Sequence, residues 1–500
     1  MAAPEQPAVR TYGNWRKPRA PGLGQLGMIG TAILFFGLIV VIITIAVVGV
    51  IAALCVLVIL TAGLGTLVFR DRHGRTVLQR VAARMMWART RAASAHLYRS
   101  GPLGLVASGS FQLPGLVARS RLSEGRDSYN RPFALLHVPT TAHYTVVFGT
   151  EPDGASLVDQ EQIDLWVAHW GQWLASLADE RGVVAASVTV ETAPDSGARL
   201  QREVLTRMDE NAPDVARGML AEVMDSYPAG SATVRAWVAL TFTGAPRAGG
   251  PRKDAQEMAR DLAARLPGLS QGLHATGAGA ARPISAQELC EVVRVAYEPR
   301  TARLFDAAYS AQTVPHLKWD EVGPAAAQAS WGSYRHDGAV SVSWSMTGAP
   351  RGEVQSSVLH QLLAPHRDID RKRVTLLYRT IDSAAAARIV ESDRNSANFR
   401  ATSKRPTARV LREQKSAELT AREEARGAGL VNFGMIVTAT VVDQERLPIA
   451  EAAIDALSAT ARIQLRPVYG AQDSAFVAAL PLGLILPRHL KVPAEIRGAL

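Results

Sequence analysis

Fifty consecutive residues, Ala20 to Phe69, carry no Asp, Glu, Lys, Arg or His, and from Met28 onward they are mostly Ile, Leu, Val, Ala and Phe. A buried core helix does not explain such a run, because helices of soluble proteins typically span about 8–20 residues. A signal peptide does not explain it either, its apolar region being about 7–15 residues long. As one helix, residues 28–69 would reach about 63 Å at ~1.5 Å per residue, twice the roughly 30 Å hydrocarbon core of a bilayer. Two spans divided near Gly49, at 28–47 and 50–69, do fit. The turn between them is too tight to place a polar loop outside the membrane, so the expected form is a membrane α-helical hairpin over 26–69.

Charge points the same way. The chain has 55 basic and 45 acidic residues, yet the first 100 residues hold 12 basic and only 2 acidic, so the whole net charge of +10 lies at one end. Arg10, Arg16, Lys17 and Arg19 lie in a basic tail (1–25) before the apolar run. Arg70, Arg72, Arg75, Arg80, Arg84, Arg89 and Arg91 follow it. The positive-inside rule then predicts a multi-pass protein of the cytoplasmic membrane with both termini cytoplasmic. Two cysteines, one of them inside the apolar run, support neither a disulfide scaffold nor a paired-thiolate metal site. Neither span carries a charge of the kind that marks an ion pathway or proton relay. Gly27, Gly30, Gly37, Gly49, Gly63 and Gly65 permit close approach of other membrane subunits or of a second copy in a homo-oligomer.

Between 70 and 100, Leu78, Val81, Met85 and Ala88 recur at helical spacing among arginines. This pattern predicts an amphipathic juxtamembrane helix lying on the inner leaflet, with Arg72, Arg75, Arg80, Arg84 and Arg91 as the membrane-surface contacts; an ordinary solvated helix is the alternative.

The remaining 400 residues alternate between periods of two and 3.6, which predicts a cytoplasmic α+β part with mixed or antiparallel sheets. The first domain is expected over 130–245. Its strands are 132–138 and 142–149, then a helix carrying Ile163, Val167, Trp170, Leu174 and Leu177 behind a Ser156/Asp159 cap, a strand 183–191, a helical stretch 198–224 and a strand 232–242. Gly244–Arg252 is a boundary, and a second domain is expected over 251–500. It has helices at 253–266 and 285–297, strands at 339–347 and 372–380, a short helix at 352–363 and an exposed helical arm at 382–428 broken near Pro406. It closes with a strand Phe433–Val442, a helix from Pro448 and a strand Phe476–Leu480. The halves look alike in kind without a residue-level repeat, so a duplicated ferredoxin-like or related unit is expected.

Common catalytic signatures are missing. No lysine follows a glycine, which excludes a P-loop, and there is no Gly-x-Ser-x-Gly, His-Glu-x-x-His or Cys-x-x-Cys. His360, His366, Asp368 and Asp370 are spaced for no shared helical face. Trp331, Tyr334, Arg335, His336 and Trp344 read as packing aromatics rather than a nucleotide platform. No catalytic, cofactor-binding or metal-ligating residue is assigned, and no direct nucleic-acid partner.

The Thr11-Tyr12-Gly13-Asn14-Trp15 stretch, the charge-free hairpin, the Arg-rich exit and the long α+β part resemble actinobacterial integral-membrane proteins encoded beside conjugation-type ATPases. The hairpin is similar to the small two-span inner-membrane subunit of type IV secretion systems. Phe476-Val477-Ala478-Ala479-Leu480-Pro481-Leu482-Gly483 is similar to the Phe-x-x-x-Leu-Pro-x-Gly pattern closing the N-terminal domain of the type IV secretion ATPase, here without the motor. The resemblance implies a non-catalytic scaffold that recruits a separate secretion ATPase. Alternatives are the two-span component of type VII secretion, which has the same layout, and a membrane-tethered enzyme.

Overall fold

The computed structural model describes residues 10–13, 15, 27–69, 71, 74–102, 104, 109–152, 154, 157–195, 197–209, 211–226, 232–245, 252–350, 352–402 and 406–490. Two apolar helices, α1 (Gly27–Val47) and α2 (Val50–Val68), are joined by Val48 and by Gly49 at φ +114°, a conformation that favours glycine. They lie side by side, and at Gly37 an added Cβ would meet Leu60 Cδ1 at 2.3 Å, so a larger residue there would displace the Leu60 side chain. The helix α3 (Val77–Ala92) starts on a capping box in which Thr76 Oγ1 accepts from the Gln79 amide and the Gln79 side chain accepts from the Thr76 amide. The chain then reaches β1 (Leu97–Arg99) at the edge of the sheet.

Two successive segments build the rest with one grammar. The first runs β2 (Arg121–Arg126), β3 (Pro132–Val138), β4 (His143–Glu151), α4 (Gln160–Asp179), β5 (Val183–Pro194), α5 (Ala198–Arg207), α6 (Asp214–Ser226), β6 (Ala232–Thr243), α7 (Ala255–His274), β7 (Ala280–Pro283) and α8 (Ala286–Tyr297). After α9 (Thr301–Ser310), the second runs β8 (Ala326–Ala329), β9 (Tyr334–His336), β10 (Ala339–Gly348), α10 (His360–Leu363), β11 (Arg371–Thr380), α11 (Ser383–Ala401), α12 (Ala408–Ala425), β12 (Val431–Val441), α13 (Leu447–Thr460), β13 (Gln464–Pro467) and α14 (Gln472–Ala478). Element by element the second list repeats the first.

The pairing repeats too. In the first segment β4 lies between β6 on one side and β3 and β7 on the other, with β5 beyond β6 and β2 beyond β3. In the second, β10 lies between β12 and the pair β9 and β13, with β11 beyond β12 and β8 beyond β9. The equivalent strands β5 and β11 pair antiparallel with Thr189 opposite Thr375, which fuses the segments into one antiparallel sheet of 13 strands about an approximate two-fold relation. The expected segments 130–245 and 251–500 thus share a single sheet.

The two faces of the sheet are covered differently. On one face α4 and α7 seal the first half over Phe133, Leu135, Phe148 and Leu240, while α10 and α13 seal the second over Val342, Trp344 and Val437. On the other face α8 covers an apolar patch around Leu136, Val147 and Trp237. In the second half that face is polar, with Ser341, Ser343, Arg371, Arg373, Thr375, Thr438 and Thr440 all buried. It is closed by α14 and the segment after it: the Thr375 hydroxyl donates to Ala479 O at 2.7 Å and that of Thr241 to Gly483 O at 2.8 Å.

Several expectations change. The Phe476–Leu480 run is not the closing strand; β13 is, and Phe476 belongs to α14. A short run buried on every side has no periodicity to separate helix from strand. The stretch 198–224 is two helices, interrupted ahead of Pro213, and the helix expected over 253–266 continues to His274 through Pro267. The Asp159 side chain makes no cap bond to α4, and Ser156 lies outside the described residues. The arm at 382–428 is the α11/α12 hairpin, with Ala386, Val390, Ala397 and Ala417 buried and Phe399 81% exposed. In the boundary loop 244–252, residues 246–251 lie outside the described residues.

Candidate functional site

Of the two apolar helices, α1 alone has the length and composition of a membrane span. The stretch Gly30–Val47 is long and apolar enough to cross a bilayer, and 6% of it is buried within the protein; Val50–Thr66 is a shorter apolar helix. Their outward side chains, among them Phe36, Ile43, Ile51 and Ile59, are exposed.

Next to them, α3 has two working faces. Trp87 turns toward the sheet, 6.1 Å from the His96 ring and 6.2 Å from Trp331, which in turn stacks on Tyr469 at 5.7 Å. The stripe Leu78, Val81 and Met85 faces away from the protein, with Met85 69% exposed. At about 100° per residue, Arg80, Arg84 and Arg91 share one flank of that stripe and Arg89 lies on the other. These four arginines are exposed. Arg75 is placed differently: it is half-buried, its amide donates to Asp71 Oδ1 at 3.1 Å, and burial pushes its guanidinium pKa down. Arg72, the fifth expected surface contact, lies outside the described residues.

A feature that sequence reading did not find is a clamp between the N-terminal tail and the sheet domain. The Tyr12 amide donates to Val354 O at 2.7 Å, the Val354 amide donates back to Tyr12 O at 2.8 Å, and the Tyr12 hydroxyl donates to Asp164 Oδ1 on α4 at 2.8 Å. Thr11 Oγ1 donates to Glu353 Oε2 at 3.1 Å, and Trp15 packs edge-on against Phe433 at 5.3 Å. Residues ahead of α1 therefore touch the domain that follows α3.

At the joint between the halves, Glu191 on β5 takes hydrogen bonds from Arg371 Nη1 at 2.5 Å and Arg373 Nε at 2.8 Å. The two guanidiniums outweigh desolvation and hold the Glu191 carboxyl below its ordinary value. Lys372, on the opposite face, donates from Nζ to Ala364 O, and burial drops its pKa to about 8. His336 is fully enclosed, with Nδ1 2.5 Å from Tyr297 O and Nε2 2.8 Å from Ser341 Oγ; burial drops its pKa to about 4, so the ring is neutral.

The scattered polar residues do not come together. Asp370 accepts from the Val442 amide and from Arg446, His366 stands 3.7 Å from Asp368, and no group of three metal-ligating side chains converges among the described residues. Trp344, Tyr334 and His336 are buried, which leaves them no face for a nucleotide. A cleft lined by Arg121, His137, Tyr144 and Lys253 opens beside the start of α7, with His137 stacked on Tyr144 at 4.3 Å.

A domain of unknown function (DUF8461) matches residues 19–79, which covers α1, α2 and the start of α3. No curated protein matches the chain.

Proposed function

We propose that this protein is a non-catalytic platform of a conjugation-type, type IV-like secretion apparatus, held in the cytoplasmic membrane by a two-span hairpin and recruiting a separate ATPase. The observation that carries the reading is the clamp of Tyr12 onto Val354 and Asp164. A chain whose parts before and after an apolar stretch touch each other crosses an even number of times, and an apolar pair this exposed favours two crossings over none. With 21 and 19 residues, α1 and α2 span about 31 and 28 Å at ~1.5 Å per residue, near the thickness of the hydrocarbon core. The exposed Leu78/Val81/Met85 stripe flanked by arginines then suits the inner leaflet, and Trp87 carries that anchorage to the sheet.

In this reading the two halves are ferredoxin-like units, because each strand order, with equivalents of β5, β6, β4 and β7 in a row, is that of a split βαβ fold with a helical hairpin added. The resemblance of Phe476–Gly483 to the end of the secretion-ATPase N-terminal domain supports a docking role. Crosslinking in membranes, affinity purification of the full chain and identification of its companions test the proposal. A conjugation-type motor is the expected companion; a type VII core, or recovery of the chain alone, overturns it.

A further inference from the structure

At the joint of the two halves one carboxylate faces two guanidiniums. Glu191 is 5% exposed, Arg371 7% and Arg373 1%, so a net positive charge is enclosed, and arginine does not shed its proton to remove it. The donors that remain find no acceptor among the described residues: Arg373 Nη1 and Nη2, Arg371 Nε and the hydroxyls of Tyr297 and Tyr334 are all buried without a hydrogen-bond partner there.

Three of these side chains, Arg373, Tyr297 and Tyr334, pack around the ring of Phe476. The Arg373 guanidinium lies 5.3 Å from the centroid of Phe476, and the rings of Tyr297 and Tyr334 lie 5.1 and 5.4 Å from it. The face of Phe476 offsets only a small part of the cost of desolvating an ion. Acidic groups nearby do not fill the gap: Asp337 pairs with Arg294 at 3.0 Å, and Asp473, whose field reaches both tyrosines, makes no ion pair among the described residues. The neutral His336 has both ring nitrogens committed. A water would satisfy single donors but bring no charge; an anion supplies both.

We infer that a small monovalent anion of halide size binds beside the Arg373 fork and the Tyr297 and Tyr334 hydroxyls, under Phe476. The test uses the purified full chain in detergent, unfolded thermally in sodium chloride, sodium bromide or sodium gluconate at equal ionic strength. Chloride and bromide are expected to raise Tm by roughly 2 °C or more over gluconate, in a saturable way. A Tyr297→Phe/Tyr334→Phe double variant, which keeps the rings, is expected to need about fivefold more chloride for half the effect. Equal Tm values in chloride and gluconate overturn the inference, as does an undiminished chloride response in the double variant. Should that variant fail to fold, bromide anomalous scattering from crystals decides: a peak beside Arg373 supports the site, and peaks only elsewhere overturn it.

Discussion

The two halves of the sheet have the same strand order but opposite solutions on the face that α8 and α14 cover. In the first half α8 lays Leu289, Val293 and Ala296 on an apolar patch. In the second, β10, β11 and β12 present serines, threonines and arginines to a seven-residue helix and the buried segment after it. A shared topology therefore constrains which strands pair and leaves the chemistry of the covering layer free. The polar layer is the more brittle of the two, because a hydrogen-bonded network loses the desolvation of the remaining partners when one member goes.

That comparison can be broken most sharply at Glu191. Glu191→Gln leaves Arg371 and Arg373 buried without a counter-charge and is expected to lower stability by about 3–5 kcal/mol in denaturant titrations of the full chain. A loss under about 1 kcal/mol would mean the joint is not sealed from water. Phe476→Ala should remove about 3–4 kcal/mol by unpacking Tyr297, Tyr334 and His336 at once, whereas Leu289→Ala on α8 in the apolar half should cost about 2–3 kcal/mol.

A pH titration sharpens it further. Folding lowers the Lys372 pKa from 10.5 to about 8. Between those values the unfolded chain still binds a proton that the folded one has released, so stability rises as pH climbs from about 8 to about 10.5, and the burden of the buried charge is complete below about 8. Lys372→Met should flatten that rise. The smallest effect is expected at the tail: Tyr12→Phe removes one hydrogen bond to Asp164 and should cost about 0.5–1.5 kcal/mol, read as faster proteolysis ahead of α1 with the melting of the sheet unchanged.

Much of this architecture is legible in the sequence, and the rest is hidden for identifiable reasons. The apolar helices, the turn at Gly49, the alternation of β6 and the break in the arm near Pro406 are written in local pattern. The duplication is not, because it lives in pairing order and not in matched residues. Strand β11 shows Arg371 and Arg373 at a spacing of two, a pair of charges on one face of a strand that hints at a buried partner, but Glu191 lies 180 residues away and nothing local names it. The Tyr12 clamp joins residues more than 150 positions apart, through backbone and side chains alike, so no local pattern announces it.

The central claim is that both flanks of the apolar stretch lie on one side of the membrane. Single cysteines at Ala3, Val48 and Asp225, in a Cys55→Ala/Cys290→Ala background, can be labelled with a membrane-impermeant maleimide in intact cells and again after permeabilisation. The account predicts that Val48→Cys reacts in intact cells while Ala3→Cys and Asp225→Cys react only once the membrane is opened. Labelling of either flanking position in intact cells would contradict it.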